Sequence, residues 1–100
     1  MIRHIVLWKL AESAEGAVKQ ENAQKMKVML EGLKDKIPEV RTIEVGVNCN
    51  KNETWDISLF AEFDNLADLM VYQNHPEHRA CVEFVKKVRV DRAAIDYEVG

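Results

Sequence analysis

The sequence predicts an α+β fold of four strands and two helices in the order β-α-β-β-α-β. Three observations carry this. The apolar period alternates between two residues and about 3.6, and each change falls at a proline or a turn-rich stretch. The first strand-like segment is largely apolar on both of its faces. A histidine–proline pair interrupts the second helical segment without ending its apolar pattern.

The elements follow in order. In "IRHIVLWKL", residues 2–10, Ile2, His4, Val6, Trp8 and Leu10 share one face, and Arg3, Ile5, Leu7 and Lys9 the other. Both faces are largely apolar, so both need cover. Residues 11–16 are small and polar and read as a loop. From about Ala17 to Lys36 the period lengthens: Ala23, Met26, Leu30, Leu33 and Ile37 form one stripe, with Met29 beside it. This is an amphipathic helix, and Pro38 stops it. "VRTIEVGVN" alternates again, with Ile43, Val45 and Val47 on one face. Gly46 within a strand signals a bulge or a close backbone approach. "NCNKNET" is a turn region. "TWDISLFAEF" is a third strand, opposing Trp55, Ile57, Leu59, Ala61 and Phe63 to Asp56, Ser58, Phe60 and Glu62. A second helix starts near Asn65 with Leu66, Leu69, Met70 and Gln73 at helical spacing, breaks at His75–Pro76, and resumes to about Val88. "AAIDYEV" closes the chain as a fourth strand.

This order is the ferredoxin-like arrangement: a four-stranded antiparallel sheet with helices on one face. The opposite face is expected to carry Ile5, Leu7, Ile43, Val45, Val47, Phe60, Ile95 and Tyr97. So large an apolar face calls for a partner, and sheet-to-sheet homodimerisation with two-fold symmetry supplies one. Residues 1–100 are read as a single domain.

Composition excludes several classes. The 100 residues are 47% hydrophobic and 31% charged, with a net charge of −3. Acids are interleaved with bases throughout, so neither nucleic acid nor an anionic membrane finds a basic patch. The opening apolar run, Ile5 to Trp8, is too short for a signal peptide. Cys49 and Cys81 lack CxxC spacing and are expected as reduced thiols, which places the protein in the cytoplasm. No glycine-rich phosphate loop is present, and no serine has the context of a nucleophile elbow. Neither a metal nor a cofactor is expected: His75, His78, Glu77 and His4 lack a second clustered pair of ligands.

The chemistry concentrates in "YQNHPEHRACVEFV", residues 72–85. Pro76 suits the first position of a helix and Glu77 its first turn; His75 or Asn74 is the cap. The spacing to Cys81, Val82, Val85 and Val88 puts His78 on, or at the rim of, the inward face. A half-buried histidine near a positive helix end is favoured as the neutral imidazole, which can act as a general base. Tyr72 can offer a hydroxyl at the same mouth. His4 shares a strand face with Val6 and Trp8, and if that face meets the helices it points into the same interior.

"MIRHIVLWKL", "YQNHPEHRACVEFV" and "IDYEV", in this order across the whole chain, resemble the stress-responsive A/B barrel, or Dabb, family. The resemblance implies a ferredoxin-like chain whose sheet packs on that of a second copy to form a dimeric α+β barrel. One branch of the family is a cofactor-free polyketide cyclase. Its working tyrosine and histidine match Tyr72 and His78, its strand-one pocket histidine matches His4, and the histidine before the proline matches His75. The chain departs from that cyclase at Ile57, where the cyclase has another histidine, and in "QENAQKMK", which lacks the cyclase's helix-one aromatics.

Two functional expectations follow, with a third beside them. One is a homodimer binding a small apolar or aromatic molecule between sheet and helices, with His4, Trp8, Ile57, Leu59 and His75 as substrate-binding residues. Another is a cofactor-free lyase or cyclase, with His78 taking a proton alpha to a carbonyl and Tyr72 hydrogen-bonding the oxyanion. In the third, a non-catalytic stress or structural protein, the histidines serve only packing.

Overall fold

The computed structural model describes residues 1–100. Strand β1 (Ile2–Leu10) lies between its antiparallel neighbours β5 (Ile57–Phe63) and β6 (Arg89–Glu98), and β4 (Thr42–Val47) pairs with the far side of β5. The sheet order is therefore β4-β5-β1-β6. Helices α1 (Lys19–Glu31), α2 (Leu66–Asn74) and α3 (Pro76–Val88) cover one face. This is the expected ferredoxin-like α+β architecture.

The core lies between that face and the helices. Val6, Trp8, Leu59, Ala61 and Phe63 from the sheet meet Met26, Leu30 and Leu33 from the first helical segment and Val85 and Val88 from α3, all buried. The stripe read from the first helix is thus the buried one. Asn22, on the same side, is also fully buried. Its Nδ2 donates to the carbonyl of Ala14 at 3.0 Å, holding the preceding turn against the helix.

Several local expectations are corrected. Residues 11–16 are not a plain loop, nor is Ala17 yet helical: β2 (Ser13–Ala14) and β3 (Ala17–Val18) form a small hairpin. Glu15 (φ 51°) and Gly16 (φ 75°) both take positive φ at its turn, the conformation of a tight two-residue hairpin. Helix α1 starts at Lys19 and gives way at Gly32–Asp35 to a 3-10 turn. The last strand begins at Arg89, directly from α3, rather than near Ala93. On α2 the buried residues are Leu69 and Tyr72, whereas Leu66 and Met70 are exposed. Gly46 sits in regular pairing with Ser58, with no bulge at that position. A Cβ there would meet Ser58 Oγ at 3.2 Å, so what lies close to the glycine is a side chain and not another backbone.

The largest correction concerns β4. Val45 pairs with Leu59, Ile43 with Ala61 and Val47 with Ile57, and directly opposed residues share a face. Ile43, Val45 and Val47 therefore look toward the helices, and Val45 is 1% exposed. The open face keeps Ile5, Leu7, Phe60, Ile95 and Tyr97, since Ile5 opposes both Phe60 and Ile95. Alternation separates the two faces of a strand, but only register says which of them is inward.

The outer edge of β4 is occupied by side chains of α1. Glu31 accepts the Val45 N–H at 3.0 Å, and Lys27 donates to the Val45 carbonyl at 2.6 Å and to Glu31 at 2.9 Å. The Val45 amide, followed by Lys27, holds the Glu31 carboxyl below its ordinary pKa.

Candidate functional site

The break between α2 and α3 positions the site. His75 has extended backbone (φ −67°, ψ 136°) and serves as the cap of both helices, with its Nδ1 accepting the Glu77 N–H at 3.1 Å. Pro76 opens α3, as its missing N–H allows. One turn before the break Tyr72 is 1% exposed; one turn after it, His78 turns inward. The rings of Tyr72 and His78 lie 4.4 Å apart between centroids, and those of Tyr72 and His4 6.4 Å apart. Phe63 backs Tyr72 at 5.0 Å.

These groups line one cavity of about 280 Å³. His4, Tyr72 and His78 form one end. Val6, Trp8, Leu30, Leu59, Val82 and Val85 form the walls, and Lys86, Arg89 and Arg92 complete the lining. Of the residues singled out in the sequence, His4, Trp8, Leu59, Tyr72 and His78 are brought together. Two are not. His75 spends its Nδ1 on the helix cap and stays outside the cavity, and Ile57 lies in the core opposite Trp8 and Val47, beyond the cavity wall.

Each polar group has a defined state. The His78 Nδ1 lies 3.1 Å from the Gln73 carbonyl. A carbonyl only accepts, so Nδ1 carries the proton and Nε2 is left with its lone pair. Burial pushes the His78 pKa down, outweighing the upward pull of that hydrogen bond, and the nearby His4 pushes the same way as burial. Burial also raises the Tyr72 pKa, so the phenol stays protonated. Asn22 Oδ1 is the sole sealed side-chain oxygen or nitrogen lacking a partner. The Tyr72 hydroxyl, which has no hydrogen bond to the protein, therefore opens on the cavity. His4, only 4% exposed, bonds through Nδ1 to the Asp96 carboxylate opposite it on β6. That bond fixes the His4 tautomer and leaves its Nε2 to the interior.

Asp96 and the three cations were not foreseen. The signal for Asp96 was present: "IDYEV" opposes the first strand, and alternation puts Asp96 on the face shared with His4. Pairing register was needed to join them. No group of three or more His, Cys, Asp or Glu side chains is arranged to hold a metal. No helix is long and apolar enough to cross a membrane.

A ferredoxin-like layer with a tyrosine- and histidine-ended cavity beneath a broken second helix defines a small α+β domain with an open four-stranded sheet. The chain belongs to the Dabb family: the model of the stress responsive A/B barrel domain matches residues 2–99. A dimeric protein of unknown function and ferredoxin-like fold from Bacteroides fragilis NCTC 9343 is similar at 40% identity and a TM-score of 0.86, covering 98% of this chain and 95% of that one. A dimeric ferredoxin-like protein of unknown function from Thermobifida fusca YX follows at 25% identity and a TM-score of 0.84, with 98% and 90% covered. The hydroxynitrile lyase of Passiflora edulis shares the fold at 13% identity and a TM-score of 0.79, with 99% and 93% covered. No curated protein sequence matches significantly.

Proposed function

We propose that this Dabb protein is a homodimer that binds a small apolar or aromatic molecule in the cavity between α3 and the sheet. The observation that carries the reading is the joining of His4, Tyr72 and His78 at one end of an otherwise apolar cavity. Apolar walls with a few convergent polar groups are the usual make-up of a small-molecule site. The dimer reading rests on the open face of Ile5, Leu7, Phe60, Ile95 and Tyr97, and on the Bacteroides fragilis relative being dimeric. Two free cysteines, Cys49 and Cys81, fit a cytoplasmic setting.

The test is a titration of phenolic and β-keto ligands against the wild type and His78→Ala, with melting temperatures recorded for both. Loss of a neutral hydrogen bond predicts about 5-fold weaker binding by His78→Ala, since such a bond contributes about 1 kcal/mol. A destabilised variant, with no ligand bound by either form, would leave the histidines as packing in a structural or stress protein.

A second reading has its own support. The Gln73 carbonyl holds the His78 proton on Nδ1 and leaves Nε2 unprotonated, and Tyr72 is a protonated donor beside it. A cofactor-free lyase or cyclase needs this pair. His78 takes a proton alpha to a carbonyl while the Tyr72 hydroxyl hydrogen-bonds the oxygen that gains charge. His4, oriented by Asp96, offers a second nitrogen to the same end. Under this reading His78→Ala lowers turnover by at least ~100-fold.

A further inference from the structure

The far end of the cavity carries a charge pattern that the aromatic end does not use. Lys86, Arg89 and Arg92 line it, and no aspartate or glutamate does. This occurs in a chain whose net charge is −3. Elsewhere Arg3, Lys19, Lys27, Lys36, Arg41 and Lys87 each hold a carboxylate in an ion pair. Lys86, Arg89 and Arg92 hold none; nor do Lys9, Lys25, Lys34, Lys51 and Arg79, but only the first three line this cavity. Helix-end electrostatics accounts for part of this: Lys86 and Lys87 stand in the last turn of α3, where cations are favoured. It does not account for Arg92, which lies on β6 beside Trp8, on the face that looks toward the helices.

Two independent rulers give the same layout. Along α3, Lys86 is eight residues beyond His78, or about 12 Å at the helical rise. Along β1, Trp8 with its neighbour Arg92 is four residues beyond His4 with its neighbour Asp96, or about 13 Å at the strand rise. By backbone position the cavity thus has an aromatic, proton-handling end, an apolar middle walled by Val6, Leu59, Val82 and Val85, and a cationic end, from which the charge of Arg92 still reaches His78. An arginine pair without carboxylates presents donors matched to an oxyanion.

We propose that the molecule bound here is an amphiphilic anion, with an apolar or aromatic body along Val6 and Val85 and a carboxylate or phosphate head at Lys86, Arg89 and Arg92. The inference rests on the ligand-binding reading of this same cavity and adds the substrate class. It also orients the ligand: the head is held at the cationic end, so the opposite end of the molecule meets Tyr72 and His78.

Calorimetric titration at low salt separates the two claims, using 4-butylbenzoate, 4-butylphenyl phosphate and the neutral 4-butylbenzamide. At least one acid should bind about 10-fold or more tightly than the amide, as a charge-assisted hydrogen bond implies; the tighter acid names the head group. In Arg89→Gln/Arg92→Gln that preference should shrink to within about 3-fold. In Lys51→Gln, which removes a cation remote from the cavity, it should persist. Circular dichroism checks that each variant is folded, and Lys86→Gln replaces the double variant if that fails to fold. Equal binding of acids and amide would overturn the anion inference and leave the ligand-binding reading standing. So would a preference undiminished in the folded arginine or lysine variants. Binding of none of the three to folded wild type would overturn both.

Discussion

The ring of Tyr72 rests against the imidazole of His78 at 4.4 Å and 49°, with His78 tied by Nδ1 to the Gln73 carbonyl. The tyrosine is the last buried residue of one helix and the histidine lies in the first turn of the next. Their contact therefore exists only because the chain breaks at His75 between them. Capping geometry and site geometry are the same feature.

Burial lowers the His78 pKa, and the sign of its effect on stability follows. The unfolded chain takes up the proton more readily than the folded one, so acid favours unfolding. The contribution of His78 to stability is complete above the ordinary histidine value of about 6.5. It is lost as the pH falls from there through the lowered folded-state value. Urea unfolding at pH 7.5 and 5.5 should show a larger loss for wild type than for His78→Gln. Equal losses in the two proteins would refute the assignment.

Tyr72→Phe should separate stability from recognition. The hydroxyl makes no hydrogen bond within the protein, so its removal should cost less than ~1 kcal/mol of stability. A ligand or oxyanion that uses this donor should lose about 10-fold in affinity, or more in turnover. A thermal melt beside a titration reads both. A large drop in melting temperature would mean that the hydroxyl is tied to the protein.

Asp96→Asn should release His4. With the carboxylate in place, His4 holds its proton on Nδ1. With an amide there, that preference should weaken and the two neutral tautomers should mix. Nitrogen-15 correlation spectra of the histidine rings distinguish these states directly. An unchanged His4 spectrum in the variant would show that Asp96 does not orient the ring.

Ile95→Lys should dissociate the dimer and spare the fold. Ile95 is 60% exposed on the open sheet face and faces Ile5 across the ladder, so a lone chain loses little by the change. A charge buried at the centre of a sheet-to-sheet interface is strongly unfavourable. Analytical ultracentrifugation at micromolar concentration should give a dimer for wild type and a folded monomer for the variant. A wild-type monomer would remove the interface altogether.

How much of this was legible without coordinates follows from how local each signal is. The stripe Ala23, Met26, Leu30, Leu33 and the His75–Pro76 break are written in neighbouring residues, and they were readable. The inward side of β4 was not, because Val45 finds its face only by pairing with Leu59. The Glu15–Gly16 turn was missed because two strands of two residues leave no period to detect. Leu66 and Met70 misled because α2 is short and its apolar residues lie on both sides. At the site, Tyr72, His78 and His4 stood out as scarce residue types placed on inward faces. Asp96, Arg89 and Arg92 did not, since on sequence alone they are ordinary charges of a surface strand. Only the pairing of β6 with β1 turns them toward His4 and Trp8.

The clasp of Lys27 and Glu31 on Val45 bears on how copies of this chain can associate. A strand at the margin of a sheet offers its unpaired amides to any passing strand, and chains that meet margin to margin can add without limit. Here the vacant donor and acceptor of Val45 are already taken by an ammonium and a carboxylate from the chain's own helix. A newcomer at that margin would have to displace a charge pair and gain nothing in its place. Growth of the sheet past Val45 on β4 is opposed in this way, and β6 is the sheet's other margin. Two copies that meet through the flat apolar face satisfy it and then stop, so assembly through that face is finite rather than fibrous.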